Sequence, residues 1–319
     1  MKNSLIIGID TSNYTTSVSA LSIDGELIAN IKRPLSVKPG ECGLRQSDAV
    51  FAHIKNLPSA MEELRDAIGD SELLAVAVSE CPRRQVGSYM PCFLAGVACA
   101  ESIAATCRVE LYRFSHQCGH LMAAIYSSGC FDILSAPFGA MHISGGTTEP
   151  LLCKYFEESF SAEIVGGTRD LNAGQAIDRI GVHMGLGFPC GAEIERLALE
   201  YNGKPINRRP STDGAFLNLS GLVNMAERLY DDGEDKTAVA HFLLRYIGRG
   251  IIEISRRHLD VYGDMPMLYA GGVMSNSILK GMLGEAIPNC YFAKPALSSD
   301  NAVGTAVLGL HRYKRLHSN

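Results

Sequence analysis

Each half of this chain carries the same local pattern. Near the start, "GIDTSNYTTS" (8–17) ends an apolar run at Asp10 and turns through Thr, Ser and Asn. In the second half, "HISGGTTEP" (142–150) ends another apolar run and turns through Ser, Gly, Gly, Thr and Thr. In both, a second strand follows. A single such turn is an ordinary β-turn or a phosphate-binding loop, because small residues let backbone N–H groups and hydroxyls approach an anion. Two of them constrain the fold further: they suggest two similar α/β layers. Identity between the copies is low, so what recurs is the pattern.

The surrounding segments fit that reading. Residues 17–22 alternate, and Asp24-Gly25 turns into a third strand, giving a β-meander. Residues 48–68 have helical periodicity, interrupted near Pro58. Residues 73–81, "LLAVAVSEC", form a continuous apolar run, as a buried parallel strand would. Small residues fill 93–107, a closely packed helix. Residues 265–287 read strand, Gly-Gly turn, helix. After Pro295, Ser298 and Ser299 are candidate N-caps of a last helix, about 299–316, with a basic final turn. Two phosphate-type loops and a Gly-Gly turn suggest an α/β protein of the actin-like ATPase (ASKHA) fold. That architecture has two RNase-H-like lobes with a nucleotide cleft between them.

The totals agree. A chain of 319 residues suits two lobes, expected at 1–134 and 135–319, with the last helix packing back on the N-terminal lobe. With 46% hydrophobic and 20% charged residues and no apolar run of about 18 or more, a cytoplasmic protein with no membrane span is expected. The short apolar run at the N-terminus reads as a strand and not a signal peptide. A net charge of -5 excludes a strongly basic nucleic-acid footprint over the whole chain, but not a local basic patch. The ten cysteines are scattered without a CxxC pair, as reduced thiols would be.

Several residues are candidates for chemistry, each with a plainer alternative. Asp10 and Ser12 form the catalytic candidate pair: the carboxylate at a strand end can face a metal-bound phosphate, or the segment is simply a polar turn. Ser144, Gly145, Gly146 and Thr147 can hold phosphate, or turn a hairpin. Asn276, after Gly271-Gly272, can bond a nucleoside or enter a helix. Asp178, one helical turn after Gly174, can accept from ribose hydroxyls or remain solvated beside Arg179. His116 and His120 stand four apart in "SHQCGH", so on a helix they share one face, the spacing used by paired imidazole ligands. They are equally readable as helix-start histidines. Gly119 between them lowers helix propensity. Asp300 is a candidate third ligand, and Cys118 points elsewhere if the segment is helical.

In order along the chain, "GIDTS", "HQCGH", "ISGGTTE", "AGQAIDRIGVHMGLGFPCG", "LNLSGL", "AGGVMSN" and "SSDNAVG" resemble the TsaD, or glycoprotease-like (Gcp), family. The resemblance implies an acyltransferase. Its members move a threonylcarbamoyl group from threonylcarbamoyl-adenylate to N6 of the adenosine 3′ of the tRNA anticodon. It implies His116, His120 and Asp300 as metal ligands, Ile143 through Thr147 as the phosphate loop, and Asp178, Gly191 and Asn276 as nucleoside contacts. It implies one divalent metal ion, iron or zinc ahead of magnesium or manganese, and ATP or an adenylate intermediate. The implied partners are tRNA and other subunits of a threonylcarbamoylation system; a homodimer is compatible. The chain departs from the family pattern in places. Tyr14 and Thr15 replace an acidic pair, Asp10 a Glu, Thr147 a His, Val223 a Lys and Cys190 a Gly. The region 42–53 retains Arg45 and His53 as partial matches. The lost Lys and acidic pair fall in segments near substrate, so the acceptor side is altered while the nucleotide and metal sites are intact. The departures leave two alternatives: a paralogue that acylates or carbamoylates another acceptor, or a non-catalytic nucleotide-binding partner subunit. A protease role has no supporting arrangement of residues.

Overall fold

A computed structural model describes residues 4–12, 14–36, 44–85, 87–157, 159–298 and 300–318. Its first strand, β1 (Ser4–Ser12), is buried at every position after Ser4. Such a strand must lie inside a sheet with both faces covered. It does so in a five-stranded sheet with β2 (Thr15–Ser22), β3 (Leu27–Pro34), β4 (Glu72–Cys81) and β5 (Glu110–Ser115), in the order β3-β2-β1-β4-β5. The β1–β2 and β2–β3 pairs are antiparallel; β1–β4 and β4–β5 are parallel. Three helices belong to this unit: α1 (Gln46–Ile68), α2 (Phe93–Cys107) and α3 (His116–Ser128). A terminal helix, Val303–His317, joins them. The unit comprises Met1–Gly129, Tyr155–Ser161 and Ser299–Asn319.

The period of two along β1 decides which side each residue serves. Leu5, Ile7 and Ile9 enter a core with Leu57, Ala60 and Leu64 of α1 and Ala95 and Ala100 of α2. Ile6 and Gly8 face the terminal helix. A Cβ on Gly8 would lie 2.5 Å from the Ala302 carbonyl oxygen. Asp10, two residues on, therefore points to the terminal-helix side.

The terminal helix also crosses α3 at unusually short range. A Cβ on Gly304 would lie 1.8 Å from the Gly119 carbonyl oxygen and 2.6 Å from the Ala123 nitrogen. One on Gly119 would lie 2.8 Å from Thr305 Oγ1. Only two glycines let these backbones touch. The Ala302 N–H donates to Ser17 Oγ at 2.9 Å, and the Val303 N–H to Asn301 Oδ1 at 3.0 Å. Ser79 and Thr305 share a buried hydroxyl contact of 3.0 Å.

Three local expectations change. The helix α1 runs unbroken through Pro58, because Pro58 and Ile54 are both on the exposed side, where the carbonyl freed by the missing N–H meets water. Strand β1 continues past Asp10, pairing Thr11 with Thr16 and Ser12 with Thr15. The terminal helix starts at Val303, with Asn301 accepting from its first turn; Ser298 donates its hydroxyl to the Lys294 carbonyl instead. Ser299 lies outside the described residues.

The second unit, Cys130–Lys154 with Ala162–Ser298, repeats the strand order. Its elements are β6 (Phe138–Ile143), most of β7 (Thr148–Phe156), the second half of β8 (Ser159–Ile164), β9 (Gly167–Thr168), α4 (Ala173–His183), α5 (Gly191–Glu200), β10 (Ser211–Asp213), β11 (Phe216–Asn218), α6 (Ser220–Asp231), α7 (Lys236–Tyr262), β12 (Met267–Ala270), α8 (Ser277–Ala286) and β13 (Cys290–Phe292). The large sheet runs β13-β12-β6-β7-β8. Here β6 plays the part of β1: β7 pairs with it antiparallel and β12 parallel. Met141 and Ile143 pack with Ile177 and Ile180 of α4, Leu243 and Ile247 of α7, and Leu279 and Leu283 of α8. Among the described residues, no helix is long and apolar enough to cross a membrane.

Gly304→Ala forces the two helices apart, and is expected to destabilise the protein by about 1–3 kcal/mol or more, as overpacking does. Urea denaturation of the variant against wild type measures it; an unchanged midpoint would contradict the close crossing.

Candidate metal and nucleotide sites

Ser115 caps α3 by accepting the Cys118 N–H, so the helix begins at His116 and continues through Gly119. His116 and His120 then stand one turn apart on the same face. Their Nε2 atoms are 2.9 Å from each other. Asp300, just ahead of the terminal helix, places Oδ1 3.1 Å from His120 Nε2 and 3.5 Å from His116 Nε2. Gly119 is thus not a weak point in the helix but the place where the terminal helix, which follows Asp300, is admitted. Cys118 is turned away and buried, its Sγ accepting from Ser115 Oγ.

The other nitrogen of His116 has its own partner. Nδ1 lies 2.8 Å from Asp10 Oδ2, while Asp10 Oδ1 accepts the Ser12 N–H at 3.0 Å. Asp10 is 1% exposed and Ser12 is 3% exposed, so neither reaches bulk solvent. The Ser12 hydroxyl has no hydrogen-bond partner among the described residues. Burial alone would raise the Asp10 pKa, but His116 and the Ser79 hydroxyl together hold it below the usual carboxylate range. Burial would depress His116, yet Asp10 and Asp300 push it up to about 10. Asp300, despite burial, is held well below the usual range by His116 and His120.

Two imidazole nitrogens and a carboxylate oxygen converging this closely can hold a dication. Bonds of about 2.0–2.1 Å to such ligands separate neighbouring donor atoms by about 3.0–3.4 Å, close to the spacings here. These three residues are the group of potential metal ligands found among the described residues.

The nucleotide candidates gather separately, in the second unit. Gly145, Asp178, Gly191 and Asn276 all line one cavity of about 390 Å³, together with Gly174, Pro189, Glu195 and Gly272. Ile143, Ser144, Gly146 and Thr147 shape the loop beside it. Ser144 Oγ accepts the N–H groups of Gly146 and Thr147, and the Ser144 N–H donates to the Thr147 carbonyl. The start of α4 is tied to this loop: Gly174 N–H donates to Ser144 O, and Asn172 Nδ2 to Gly146 O. Gly271, at φ +100, brings its Cα beside the Ile143 carbonyl, where a Cβ would be 2.2 Å away. In contrast, a Cβ at Gly145 or Gly146 would meet nothing within 4 Å, so that edge of the loop is open. Asp178 Oδ1 accepts the Cys190 N–H at 2.8 Å, and Asn276 Oδ1 caps α8 at Leu279. Glu195, which sequence reasoning missed, accepts from Ser277 N–H and Oγ on the same cavity wall. Its position one turn after Gly191 was the available signal.

Comparison with known proteins agrees. Residues 28–307 match the family model "TsaD: tRNA N6-adenosine threonylcarbamoyltransferase". The chain belongs to the TsaD family. Two relatives named tRNA N6-adenosine threonylcarbamoyltransferase come from Methanopyrus kandleri and Streptococcus suis. The first is 29% identical over 96% of this chain and 87% of its own length; the second, 30% over 99% and 94%. Among solved structures, HypF of T. kodakarensis superposes on 99% of this chain with TM-score 0.63 at 12% identity, through 48% of its own length. Component A of the Acidaminococcus fermentans (R)-2-hydroxyglutaryl-CoA dehydratase does so over 98% of both chains, with TM-score 0.56 at 13% identity. At these identities the structures show the fold alone, which is that of the actin-like ATPases.

The places where this TsaD-family chain departs from the family pattern are structurally quiet. Val223 is fully buried in the core beside Leu219 and Leu222, a position for an apolar side chain. Thr147 Oγ1 lies 2.8 Å from Ser144 Oγ and 3.3 Å from His142 Nδ1, so an imidazole still stands beside the loop. Cys190 is buried and opens α5 through its Asp178 bond. Thr15 pairs with Ser12, and Tyr14 is exposed. His53 is buried, with Nδ1 2.8 Å from Thr16 Oγ1, and Arg45 precedes α1; Cys42 and Gly43 lie outside the described residues.

The His116 shift has a testable sign. Its pKa in the metal-free fold, about 10, is above the ordinary 6.5, so its pairing stabilises fully below pH 6.5. That contribution is lost as pH rises through 10. Urea midpoints of metal-free wild type and His116→Gln should therefore differ most near pH 6 and converge toward pH 10. A constant gap would show that His116 is not held protonated.

Proposed function

We propose that this chain transfers a threonylcarbamoyl group from threonylcarbamoyl-adenylate to N6 of the tRNA adenosine 3′ of the anticodon, at a divalent cation held by His116, His120 and Asp300. The observation that carries this reading is the convergence of two Nε2 atoms and one carboxylate oxygen in a TsaD-family chain. Iron or zinc fits two imidazoles better than magnesium or manganese does. The bound cation would supply Lewis acidity toward substrate oxygens and a fixed point for them.

The protein's own residues then position and hold charge. Asp10 accepts from His116 Nδ1, which leaves the Nε2 lone pair directed at the ligand position. Ser12 fixes Asp10 through its backbone N–H. In this account Asp10 and Ser12 act through His116 and do not touch substrate. The Gly145–Gly146 edge offers room for phosphate oxygens, and the second oxygen of Asp178 and the amide of Asn276, on the same cavity, would meet the nucleoside. In the transfer, the adenosine N6 forms a bond to the carbamoyl carbon and loses a proton to water or to the departing phosphate. The bond from that carbon to the phosphate oxygen breaks, and AMP leaves. Orientation of the two reactants supplies much of the rate. The adenylate is itself an activated product, and in this reading other subunits of a threonylcarbamoylation system supply it. Since tRNA is the acceptor, we place the reaction in the cytoplasm.

Asp300→Ala should reduce bound metal from about one per chain to none and abolish the modified nucleoside in tRNA from cells with this protein as their only homologue. Asp10→Asn should keep the three ligands but weaken metal affinity about 10–100-fold. Elemental analysis and nucleoside analysis measure both; full metal content in Asp300→Ala would refute the ligand set.

A further inference from the structure

The chain is acidic overall, at -5, yet its second unit contains a groove of the opposite sign. The groove, about 1050 Å³, is lined by Arg208, Arg209, Arg249, Arg256 and Arg257, with Glu253 and Asp260 as its only acids among the described residues. One wall is α7, where residues 249, 253, 256, 257 and 260 recur at helical spacing on one face. The other is the segment 207–214. That segment is held to α7 by three bonds. Ser211 N–H donates to the Tyr246 hydroxyl at 2.9 Å, Thr212 Oγ1 to Glu253 at 2.7 Å, and Arg249 to Asn207 Oδ1.

Those bonds use Glu253 and Arg249, and leave Arg208 and Arg257 out. Glu253 is shared by Thr212 and Arg209, the latter at 3.6 Å. Arg208 and Arg257 are exposed, and neither has a carboxylate within ion-pair distance among the described residues. Along α7, Arg249 and Arg256 are separated by about 10 Å of helix rise. Such a span exceeds a single phosphate and suits a polyanion with charges repeated along its length. All five cations are guanidiniums, which bind phosphate in two-pronged fashion. No aromatic side chain is among the lining residues, so bases have nothing to stack on. Asn207, Ser211 and Thr212 add polar groups suited to phosphate and sugar oxygens.

We propose that this groove docks the phosphate backbone of tRNA, reading charge and shape and not sequence; this rests on the tRNA-modifying function proposed above. The groove holds the acceptor by its backbone and contributes no group to the transfer itself. A uniformly acidic protein segment would find the same charge, since guanidiniums pair with carboxylate as well as phosphate; the tRNA acceptor of the proposed reaction decides for phosphate.

The test uses the full chain and fluorescently labelled, unmodified tRNA, with polarisation titrations over a range of KCl concentrations. Arg208→Ala/Arg257→Ala, two exposed and unpaired positions, should weaken binding roughly ten-fold or more and make the salt slope shallower by about 1.4–1.8, two phosphate contacts' worth. Arg208→Lys/Arg257→Lys keeps the charge and should recover most of the affinity. A thermal unfolding midpoint equal to wild type confirms that the alanine variant is folded. Unchanged affinity and slope in the alanine variant overturn the proposal. So does polyglutamate of matched charge competing as well as unlabelled tRNA, which would assign the groove to an acidic protein. Nucleoside analysis separates the two levels of failure. If wild type and the alanine variant bind and modify tRNA alike, the groove assignment falls and the function stands. If wild type neither binds nor modifies tRNA, both fall.

Discussion

The contact between Gly119 and Gly304 is the constraint on which the candidate metal site depends. Without side chains at either glycine, the terminal helix approaches α3 at backbone distance. That approach carries Asp300 to two histidines 180 and 184 residues earlier in the chain. Ser17, Asn301 and Thr305 then hold the helix start in place through Ala302, Val303 and Ser79. The result brings two carboxylates and two imidazoles together with little solvent. Such a cluster is electrostatically awkward unless a positive charge sits within it. In the metal-free chain Asp10 and Asp300 favour a proton on His116, and so raise its pKa. A dication can replace that proton and satisfy both Nε2 atoms and Asp300 together. The strand period that turns Asp10 toward the terminal helix supplies the remaining partner, on the far nitrogen of His116.

The second unit solves a different problem with the same strand order. Its first hairpin loop is not closed over by side chains. The loop amides of Gly146 and Thr147 converge on Ser144, and the start of α4 is bonded to the loop backbone. Gly174 and Gly271 allow those close approaches, while Gly145 and Gly146 leave the outer edge bare. Bare backbone beside a cavity lined by Asp178, Glu195 and Asn276 is suited to a phosphate followed by a nucleoside. The two units thus carry complementary chemistry: acid–imidazole ligands in one, backbone and hydroxyl groups in the other.

Much of this was legible in the sequence, for identifiable reasons. The repeated strand–turn–strand pattern reflects the two sheets of identical order. The His116–His120 spacing reads directly as one helix face, and Asp178, Gly191 and Asn276 lie in ordered motifs. What was hidden depended on packing. Gly119 reads as a helix weakness until the partner glycine is known. Pro58 reads as a break until its exposed side is known. The bond from His116 to Asp10 could not be read from the sequence, because it depends on strand alternation and on where α3 lies. The capping role passed from Ser298 to Asn301 because the chain turns closer to the helix than the serines suggest. The arginine groove could not be seen in a total charge of -5, since its cations come from two separate stretches, 208–209 and 249–257.

The central claim is that His116, His120 and Asp300 coordinate one metal ion. X-ray absorption spectroscopy on the metal-loaded protein tests it most directly, at the edge of whichever metal elemental analysis finds. The expected spectrum has a first shell of nitrogen and oxygen only, with multiple-scattering features of two imidazoles that fall to one in His120→Ala. A spectrum with sulfur in the first shell, or with no imidazole scattering, would contradict it.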